Sequence, residues 1–238
     1  MRRAPGPGMA RVLGVFVYEP GAPDTATGAL MPDPDNARDW LGRRGLLGKN
    51  RATRMALCAA HGLTILRGAE APPGDRTGVV VSSNFSNTDV VIRDANRLYR
   101  EGEAALSPVE APTHSANIIG SSLAIRYKWR GPNVSVCSGR RAGAEALEIA
   151  SLLLAAGRCD HVVVLGVDDA VPVPFLAIDE SDRPLAVAVL LGQGMTPPVL
   201  TPEPLHDDAL LPRYHGARHV LEAALGAASS DHDDRLPV

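Results

Sequence analysis

One central segment, residues 131–170, constrains the fold of this 238-residue chain more than any other. The short run from Asn133 to Cys137 is rich in β-branched residues and predicts a strand, and a Ser-Gly pair after it predicts a turn. Apolar residues then recur at helical spacing from Ala142 to Ala156, until Gly157 ends the pattern. A second buried strand is predicted over His161 to Val167. The segment therefore predicts a strand, a sharp turn, a helix and another strand.

The sharp turn predicts where chemistry would occur. A turn of this kind lifts one side chain to the mouth of the sheet and directs the first free N–H groups of the helix at it. Proteins use such a position to present a nucleophile and to stabilise its anion. Here the side chain at that position is Arg140, and Arg141 follows it. A guanidinium stays protonated near neutral pH, so it cannot act as the nucleophile.

The segment resembles the nucleophile region of the β-ketoacyl synthases of the thiolase superfamily. In that resemblance, the cysteine that carries the acyl thioester falls on Arg140, and Cys137 lies three residues earlier. Chain-length-factor subunits of type II polyketide synthases are similar because they too have lost this cysteine. The positions that match the family pattern are Gly131, Pro132, Val136, Gly143, Ala146, Leu147, Gly157, Asp160, Gly166 and Asp168.

Three weaker motifs precede this segment in the order found in the family. They lie in residues 41–65, 78–86 and 107–130, and the likeness extends from about Val12 to Gly192. It implies an α/β, thiolase-like fold with a mostly parallel five-stranded sheet and helices on both faces, which is one half of the family's αβαβα fold. We expect residues 1–194 to form this ketosynthase-like N-terminal domain, and residues 195–238 to form a linker, a short helix and a disordered tail.

The remaining elements follow from local patterns. Strands are predicted over Val12 to Tyr18 and Leu185 to Leu191, with an irregular loop at residues 20–39. An amphipathic helix is predicted over residues 50–66. Another is predicted over residues 89–104, with its charges opposite its apolar residues and Asp89 as the N-cap. A further helix is expected over residues 115–127.

Composition excludes several classes of function. The net charge of −3 is dispersed along the chain, which argues against a nucleic-acid partner. No apolar run approaches the roughly twenty residues of a membrane span, and the basic start of the chain lacks the apolar core of a signal peptide. The three cysteines and the scattered histidines lack metal-binding spacing. These features predict a cytoplasmic protein without metal or cofactor.

Full-length synthases carry a second half with two histidines that polarise the thioester carbonyl, and this chain is too short to contain it. The resemblance therefore covers the N-terminal half only and predicts a truncated protein. The segment Gly216 to Leu225 does look like the helix after the family's last histidine motif. In that alignment the histidine position falls on Arg213, and His215 lies close to it in sequence.

The two arginines of the predicted turn have two alternative roles. Arg140 and Arg141 either clamp a phosphopantetheine phosphate or an acidic partner, or fill a closed pocket. In the closed pocket, Glu145, Asp168, Asp169 or a backbone carbonyl would satisfy them. Asn117 is a further candidate for binding substrate or partner.

Cys137 is either a packing residue or a displaced nucleophile with His114 or His161 as its base. Ser138 and His215 are weak catalytic candidates. Asp168 and Asp169 follow a strand and are either an acid–base pair or part of a structural turn.

The sequence thus predicts a protein of fatty-acid or polyketide biosynthesis that does not itself condense acyl groups. We expect a partner or scaffold for a synthase or an acyl carrier protein, assembled as a homodimer or as a heterodimer with a full-length ketosynthase. In the family, the strand before the turn pairs with its symmetry mate, and here that strand is Asn133 to Cys137. The alternatives are an acyltransferase or thioesterase-like enzyme that uses Cys137 or Ser138, and a regulatory or purely structural remnant.

Overall fold

A computed structural model describes residues 9–24, 28–169 and 184–194, together with residues 217 and 220. We number the strands and helices in chain order. The strands are β1 (Met9–Tyr18), β2 (Thr77–Ser82), β3 (Asn133–Val136), β4 (His161–Asp168) and β5 (Leu185–Gly194), and the helices are α1 (Arg38–Leu41), α2 (Arg51–Arg67), α3 (Thr88–Glu101), α4 (Ile118–Tyr127) and α5 (Ala142–Ala155).

The five strands form one sheet in the order β1-β5-β4-β2-β3. Strand β2 runs parallel to both β3 and β4, whereas β5 runs antiparallel to β4 and to β1. The sheet is therefore mixed, and the expectation of a mostly parallel sheet was wrong. Strand β5 is buried along eight successive residues. Burial on both faces gives the same continuous apolar run in either direction, so the sequence pattern does not reveal the direction of such a strand.

Helices cover both faces of the sheet, as expected. Helices α2 and α4 pack with one side of the strands in a first apolar cluster, and α5 packs on the other side in a second cluster. The buried residues of α2 include Ala52, Ala56, Ala59 and Ala60. Their small side chains allow the helix to approach the sheet closely.

Strand β3 begins at a tight contact with β2. The N–H of Gly131 donates to the carbonyl of Thr77 at 2.9 Å, and a Cβ added to Gly131 would lie 2.6 Å from that residue's backbone. A side chain there would force the two strands apart. Glycine is therefore required at this position by the close approach of the backbones.

Two predicted helix starts differ from the structure. Helix α3 begins at Thr88 with Asn87 at its N-cap position, so the prediction of Asp89 as the N-cap was wrong. Asp89 instead lies in the first turn, where its charge is favourable to the helix dipole. Helix α4 begins at Ile118 rather than at Ser115, and a separate 3-10 turn over Ala111–His114 lies before it.

Part of the C-terminal region packs on the same domain. Ala217 and Val220 are helical and fully buried in the cluster that contains α5. The backbone N–H of Ala217 donates to Asp168 Oδ2 at 2.8 Å, so a side chain at the end of β4 holds this segment. The predicted linker and tail, residues 195–216 and 221–238, lie outside the described residues.

The burial of α5 predicts a contrast between two leucines on the same helix. Leu154 is 1% exposed and Leu152 is 68% exposed. We expect Leu154→Ala to lower the free energy of unfolding by about 2–5 kcal/mol because it leaves a cavity in the core. Leu152→Ala is the matched control and should change it by less than about 0.5 kcal/mol. Urea unfolding of both variants measures the difference, and similar losses would contradict this packing of α5.

Candidate functional site

The candidate site is the turn between β3 and α5, which we call the elbow and define as residues 137–141. Strand β3 ends at Val136, and a single 3-10 turn over Gly139–Arg141 leads directly into α5. Gly139 has a φ of 66°, in the left-handed region that glycine adopts without strain. The predicted strand, sharp turn and helix are confirmed at these positions.

The loop after β2 holds the elbow in place. Because β2 and β3 are parallel neighbours, their carboxyl ends lie side by side. The N–H of Gly139 donates to Asn84 Oδ1 at 2.9 Å, and Asn84 Nδ2 donates to the carbonyl of Gly139 at 3.1 Å. The N–H of Ser83 also donates to the carbonyl of Val136 at 3.2 Å. The backbone of the elbow is thus fixed by paired hydrogen bonds from one side chain.

The thiol of Cys137 is bound within this junction. Its Sγ donates to the carbonyl of Ser83 at 3.3 Å, and partial burial raises the pKa of the thiol above its usual value. Reactive cysteines have the opposite property, a lowered pKa beside a cation or an imidazole. Ser138 is exposed beside it, and its side chain does not cap the following turn.

The structure separates Cys137 from one of its proposed bases. His161 starts β4 and pairs in register with Thr77, whereas Val136 pairs with Ser82. Five residues of strand, roughly 17 Å, lie between these two levels of the sheet. The proposal that His161 serves Cys137 was therefore wrong, because the two residues lie near opposite ends of the strands.

The other proposed base, His114, already has a partner. Its Nε2 lies 2.9 Å from Asp94 Oδ2, and Arg93 donates to the other oxygen of the same carboxylate at 2.9 Å. The hydrogen bond from Arg93, assisted by His114, lowers the pKa of Asp94. The carboxylate is 6% exposed and keeps its charge through these contacts.

The two arginines of the elbow are described to different extents. Arg141 is exposed, and its Nε donates to Glu145 Oε1 at 3.2 Å, one turn further along α5. Glu145, one of the partners considered from the sequence, thus pairs with Arg141. The backbone of Arg140 lies in the 3-10 turn, and its side chain lies outside the described residues. His215 lies outside them as well.

Asp168, the last residue of β4, and Asp169, which follows it, each accept a hydrogen bond from a different group. Asp168 accepts from the N–H of Ala217, as described above. Asp169 is almost buried and accepts from Arg51 Nε at 3.2 Å. These contacts favour a structural turn over an acid–base pair at Asp168 and Asp169.

Arg51 and Asn50 make contacts near the carboxyl ends of β4 and β2 that the sequence analysis missed. Arg51 also binds both oxygens of Asp33, at 3.0 and 3.3 Å, and this hydrogen bond lowers the pKa of Asp33. Asn50 caps α2 by accepting from the N–H of Thr53, and its Nδ2 donates to the carbonyl of Ser86. An Asn directly before a helical pattern is a typical N-cap signal and could have revealed this position.

Asn117 is exposed at the start of α4. Its Oδ1 accepts from Ser115 Oγ at 2.6 Å, and its side chain does not cap the helix. Within the described residues, no group of histidine, cysteine, aspartate and glutamate side chains could hold a metal ion. No helix among them is long and apolar enough to cross a membrane.

This strand, elbow and helix correspond to a known family. The model of the β-ketoacyl synthase N-terminal domain matches residues 21–185. The chain belongs to the β-ketoacyl synthase family. It is 28% identical over 140 residues to 3-oxoacyl-[acyl-carrier-protein] synthase 2 of Rhizobium meliloti (strain 1021), an alignment that covers 57% of this chain and 33% of that relative. The homologue from Vibrio cholerae is 26% identical over 95 residues, or 40% of this chain and 23% of that one.

Solved structures of β-ketoacyl synthases have the same fold. The ishigamide ketosynthase/chain length factor has a TM-score of 0.62 at 22% identity, covering 78% of this chain and 62% of that one. The ketosynthase ApeO in complex with its chain length factor ApeC, from Xenorhabdus doucetiae, has a TM-score of 0.59 at 19% identity, covering 79% and 80%. The chain spans about a third of the length of the curated relative from Rhizobium meliloti.

The Asn84 contacts predict a measurable change in the elbow. Asn84→Ala removes both hydrogen bonds to Gly139 and leaves two backbone groups to find other partners. We expect a loss of about 1–3 kcal/mol in unfolding free energy, with faster amide exchange at residues 139–141. Asn87→Ala is the control, since the side chain of Asn87 donates to the carbonyl of His114 instead. Unchanged exchange at the elbow in Asn84→Ala would show that these bonds do not hold it.

The raised pKa of Cys137 predicts slow alkylation. Below that pKa the thiolate fraction is smaller than in a free cysteine, so iodoacetamide should react more slowly at pH 7.5 and faster as the pH rises. The Cys137→Ala variant identifies the labelled site, because Cys58 and Cys159 are buried. Mass spectrometry over time gives the rate. Labelling faster than that of a free thiol would indicate an activated nucleophile.

Proposed function

We propose that this chain is a non-condensing subunit of the β-ketoacyl synthase type, which acts as a partner or scaffold for a synthase or an acyl carrier protein of fatty-acid or polyketide biosynthesis. The observation that carries the proposal is the residue at the elbow. In the alignment with the family motif, the position of the acyl-carrying cysteine falls on Arg140. An arginine has no thiol to carry a thioester, and its guanidinium stays protonated and is not a nucleophile.

The surroundings of Cys137 support this proposal over an altered enzyme. Its thiol donates to a carbonyl, its pKa is raised, and His114 is engaged by Asp94. An acyltransferase or thioesterase that used Cys137 or Ser138 would need a base within hydrogen-bonding distance of the nucleophile. The described contacts of Cys137 do not include an imidazole. The alternative is therefore the less favoured of the two.

The similar structures support a role in an assembly. Two of them are ketosynthases with chain length factors, and a third contains a type II polyketide synthase acyl carrier protein in complex with its ketosynthase, at a TM-score of 0.61, 12% identity and coverage of 78% of this chain and 62% of that one. We extend this to the present chain as a proposal: its partner is a ketosynthase-type subunit, either a second copy or a full-length synthase.

The edge of the sheet is suited to such a partner. Strand β3 lies at one end of the sheet, so one side of its backbone is not paired with another strand of the described residues. A free strand edge exposes N–H and C=O groups that favour pairing with another chain. We propose that β3 pairs with the corresponding strand of a related subunit.

We also propose that the chain divides into a domain and a C-terminal region. Residues 1–194 form the ketosynthase-like unit, and residues 195–238 contribute a linker, a short helix and a tail. Ala217 and Val220 support the helix, because both are helical and lie against the cluster around α5. In the cytoplasm, which we propose as the location, the three thiols would stay reduced.

Acyl loading tests the absence of condensing chemistry. The purified chain is incubated with acetyl- or malonyl-acyl carrier protein, and its intact mass is measured, with a full-length ketosynthase as the positive control. We expect no added acyl mass on this chain under conditions that load the control. A covalent acyl adduct on the wild-type chain would overturn the proposal, and peptide mapping would then identify the residue.

Binding of an acyl carrier protein tests the partner role of the elbow. An exposed guanidinium that contacts a phosphate contributes a charge-assisted hydrogen bond, so Arg141→Ala should weaken binding about tenfold. Arg158→Ala is the matched control, since Arg158 is exposed just after α5, at the end of that helix away from the elbow. Calorimetry or fluorescence anisotropy measures the affinities. Equal affinities for the two variants would remove Arg141 from the proposed surface.

A further inference from the structure

A concave surface lies at the amino ends of the parallel strands β2, β3 and β4, at the opposite end of these strands from the elbow. Three short segments line it: residues 75–76 before β2, residues 130–132 before β3, and residues 157–158 between α5 and β4. Its volume is about 590 Å³. Because three of its lining side chains are arginines, Arg76, Arg130 and Arg158, we call it the basic groove.

The turn at the end of α5 determines where Arg158 lies. The N–H of Gly157 donates to the carbonyl of Leu154 at 3.0 Å, and the N–H of Arg158 donates to the carbonyl of Leu153 at 3.0 Å. These two bonds form the helix ending in which a left-handed residue follows the last turn, and Gly157 has the matching φ of 64°. The chain therefore leaves the helix sharply, and exposed Arg158 follows the turn directly into the groove.

The guanidinium of Arg76 is held in one orientation. Its Nε donates to Asp160 Oδ2 at 2.8 Å, and its Nη2 donates to the carbonyl of Gly157 at 3.0 Å. These two bonds use only part of the donors of the guanidinium, and the side chain is 53% exposed. Arg76 can therefore donate to a ligand without first being ordered, which lowers the entropic cost of binding.

The other two arginines are less engaged. Arg130 Nη1 lies 3.3 Å from Asp75 Oδ1, and the two side chains are 73% and 83% exposed, so solvent screens the pair and it contributes little. Arg158 forms no ion pair with a carboxylate of the described residues. Two carboxylates, Asp75 and Asp160, thus accompany three guanidiniums, and the groove keeps an excess of positive charge.

The shape and the charge of the groove indicate what it can bind. Guanidiniums that share a concave surface suit phosphate, because each planar fork matches two phosphate oxygens. The volume lies within the roughly 300–1,000 Å³ of small-molecule sites. Pro132 supplies the apolar part of the described lining, and the rest is charged residues and glycine, which favours a polar ligand. We propose that the basic groove binds a small phosphorylated molecule through Arg76, Arg130 and Arg158.

This site goes beyond the proposed function and does not rest on it. The groove lies beyond Thr77, the first residue of β2, and the elbow lies beside Ser82, its last residue. About five residues of strand, roughly 17 Å, separate these two levels. Arg158→Ala should therefore weaken phosphate binding in the groove and leave the binding of an acyl carrier protein at the elbow unchanged. Either proposal can fail without the other.

Calorimetric titration with pyrophosphate tests the arginines of the groove. We expect saturable binding to the wild-type chain, and Arg158→Ala should weaken it about tenfold because one charge-assisted fork is lost. Arg100→Ala is the matched control, since it removes the same charge from an exposed position on α3 that does not line the groove. Absence of saturable binding to the wild type, or equal weakening in both variants, would overturn the proposal.

Amide chemical shifts locate the bound pyrophosphate. The signals of Gly157 and Arg158 should move during the titration and saturate with the affinity that calorimetry gives. Movement confined to residues 139–141 would place the phosphate at the elbow and would refute binding in the groove.

A gain of affinity separates this site from a loss of folding. Asp75→Asn removes the carboxylate that competes for Arg130, so pyrophosphate should bind about two- to fivefold more tightly. Asp39→Asn is the matched control, because Asp39 is exposed and lies beside Arg38, outside the groove, and the affinity should stay unchanged. Unchanged or weaker binding by Asp75→Asn would overturn the proposal, as would an equal gain in Asp39→Asn.

Discussion

The parallel pairing of β2 and β3 is the contact on which the site depends. It places two carboxyl ends side by side, so that the loop after one strand can hold the turn after the other. Asn84 makes this connection by binding both the N–H and the carbonyl of Gly139. The tight contact at Gly131 sets the other end of the same strand pair. The sheet and the loop after β2 therefore fix the backbone conformation of the elbow independently of the side chain at residue 140.

Ion pairs and the N-cap residue of α2 connect other elements to the carboxyl ends of the parallel strands. Arg51, at the start of α2, connects Asp33 to Asp169, and Asn50 connects the same helix to the loop after β2. Arg51 is one third exposed and Asp169 almost buried, so the contact between them is only partly screened by solvent. Such groups explain how the turn remains ordered, because carboxylates, amides and guanidiniums of neighbouring elements hold the surrounding scaffold together.

Local sequence patterns predicted the strands and helices well, but they predicted strand direction and the contacts between elements less well. The strand, elbow and helix of residues 133–155 followed from β-branched and helical spacing, and β4 and β5 from apolar runs. The antiparallel direction of β5 did not follow from its sequence, because a strand buried on both faces has the same apolar run in either direction. The contacts of Asn84 and Arg51 join residues more than fifty positions apart, and local spacing carries no information about such pairs. His161 was misplaced for the same reason, because only strand register shows which end of the sheet it occupies.

The bond between Asp168 and the backbone of Ala217 connects a residue of the C-terminal region to the domain core. Val220 adds a buried methyl pair to the same cluster. The stretch of chain between Gly194 and Ala217 therefore joins two positions that are both fixed on the domain. The entropy of loop closure rises only slowly, by about 0.6 kcal/mol for each doubling of length. Insertions and deletions between residues 194 and 217 should consequently be tolerated, provided that the carboxylate of Asp168, which accepts from the N–H of Ala217, is kept.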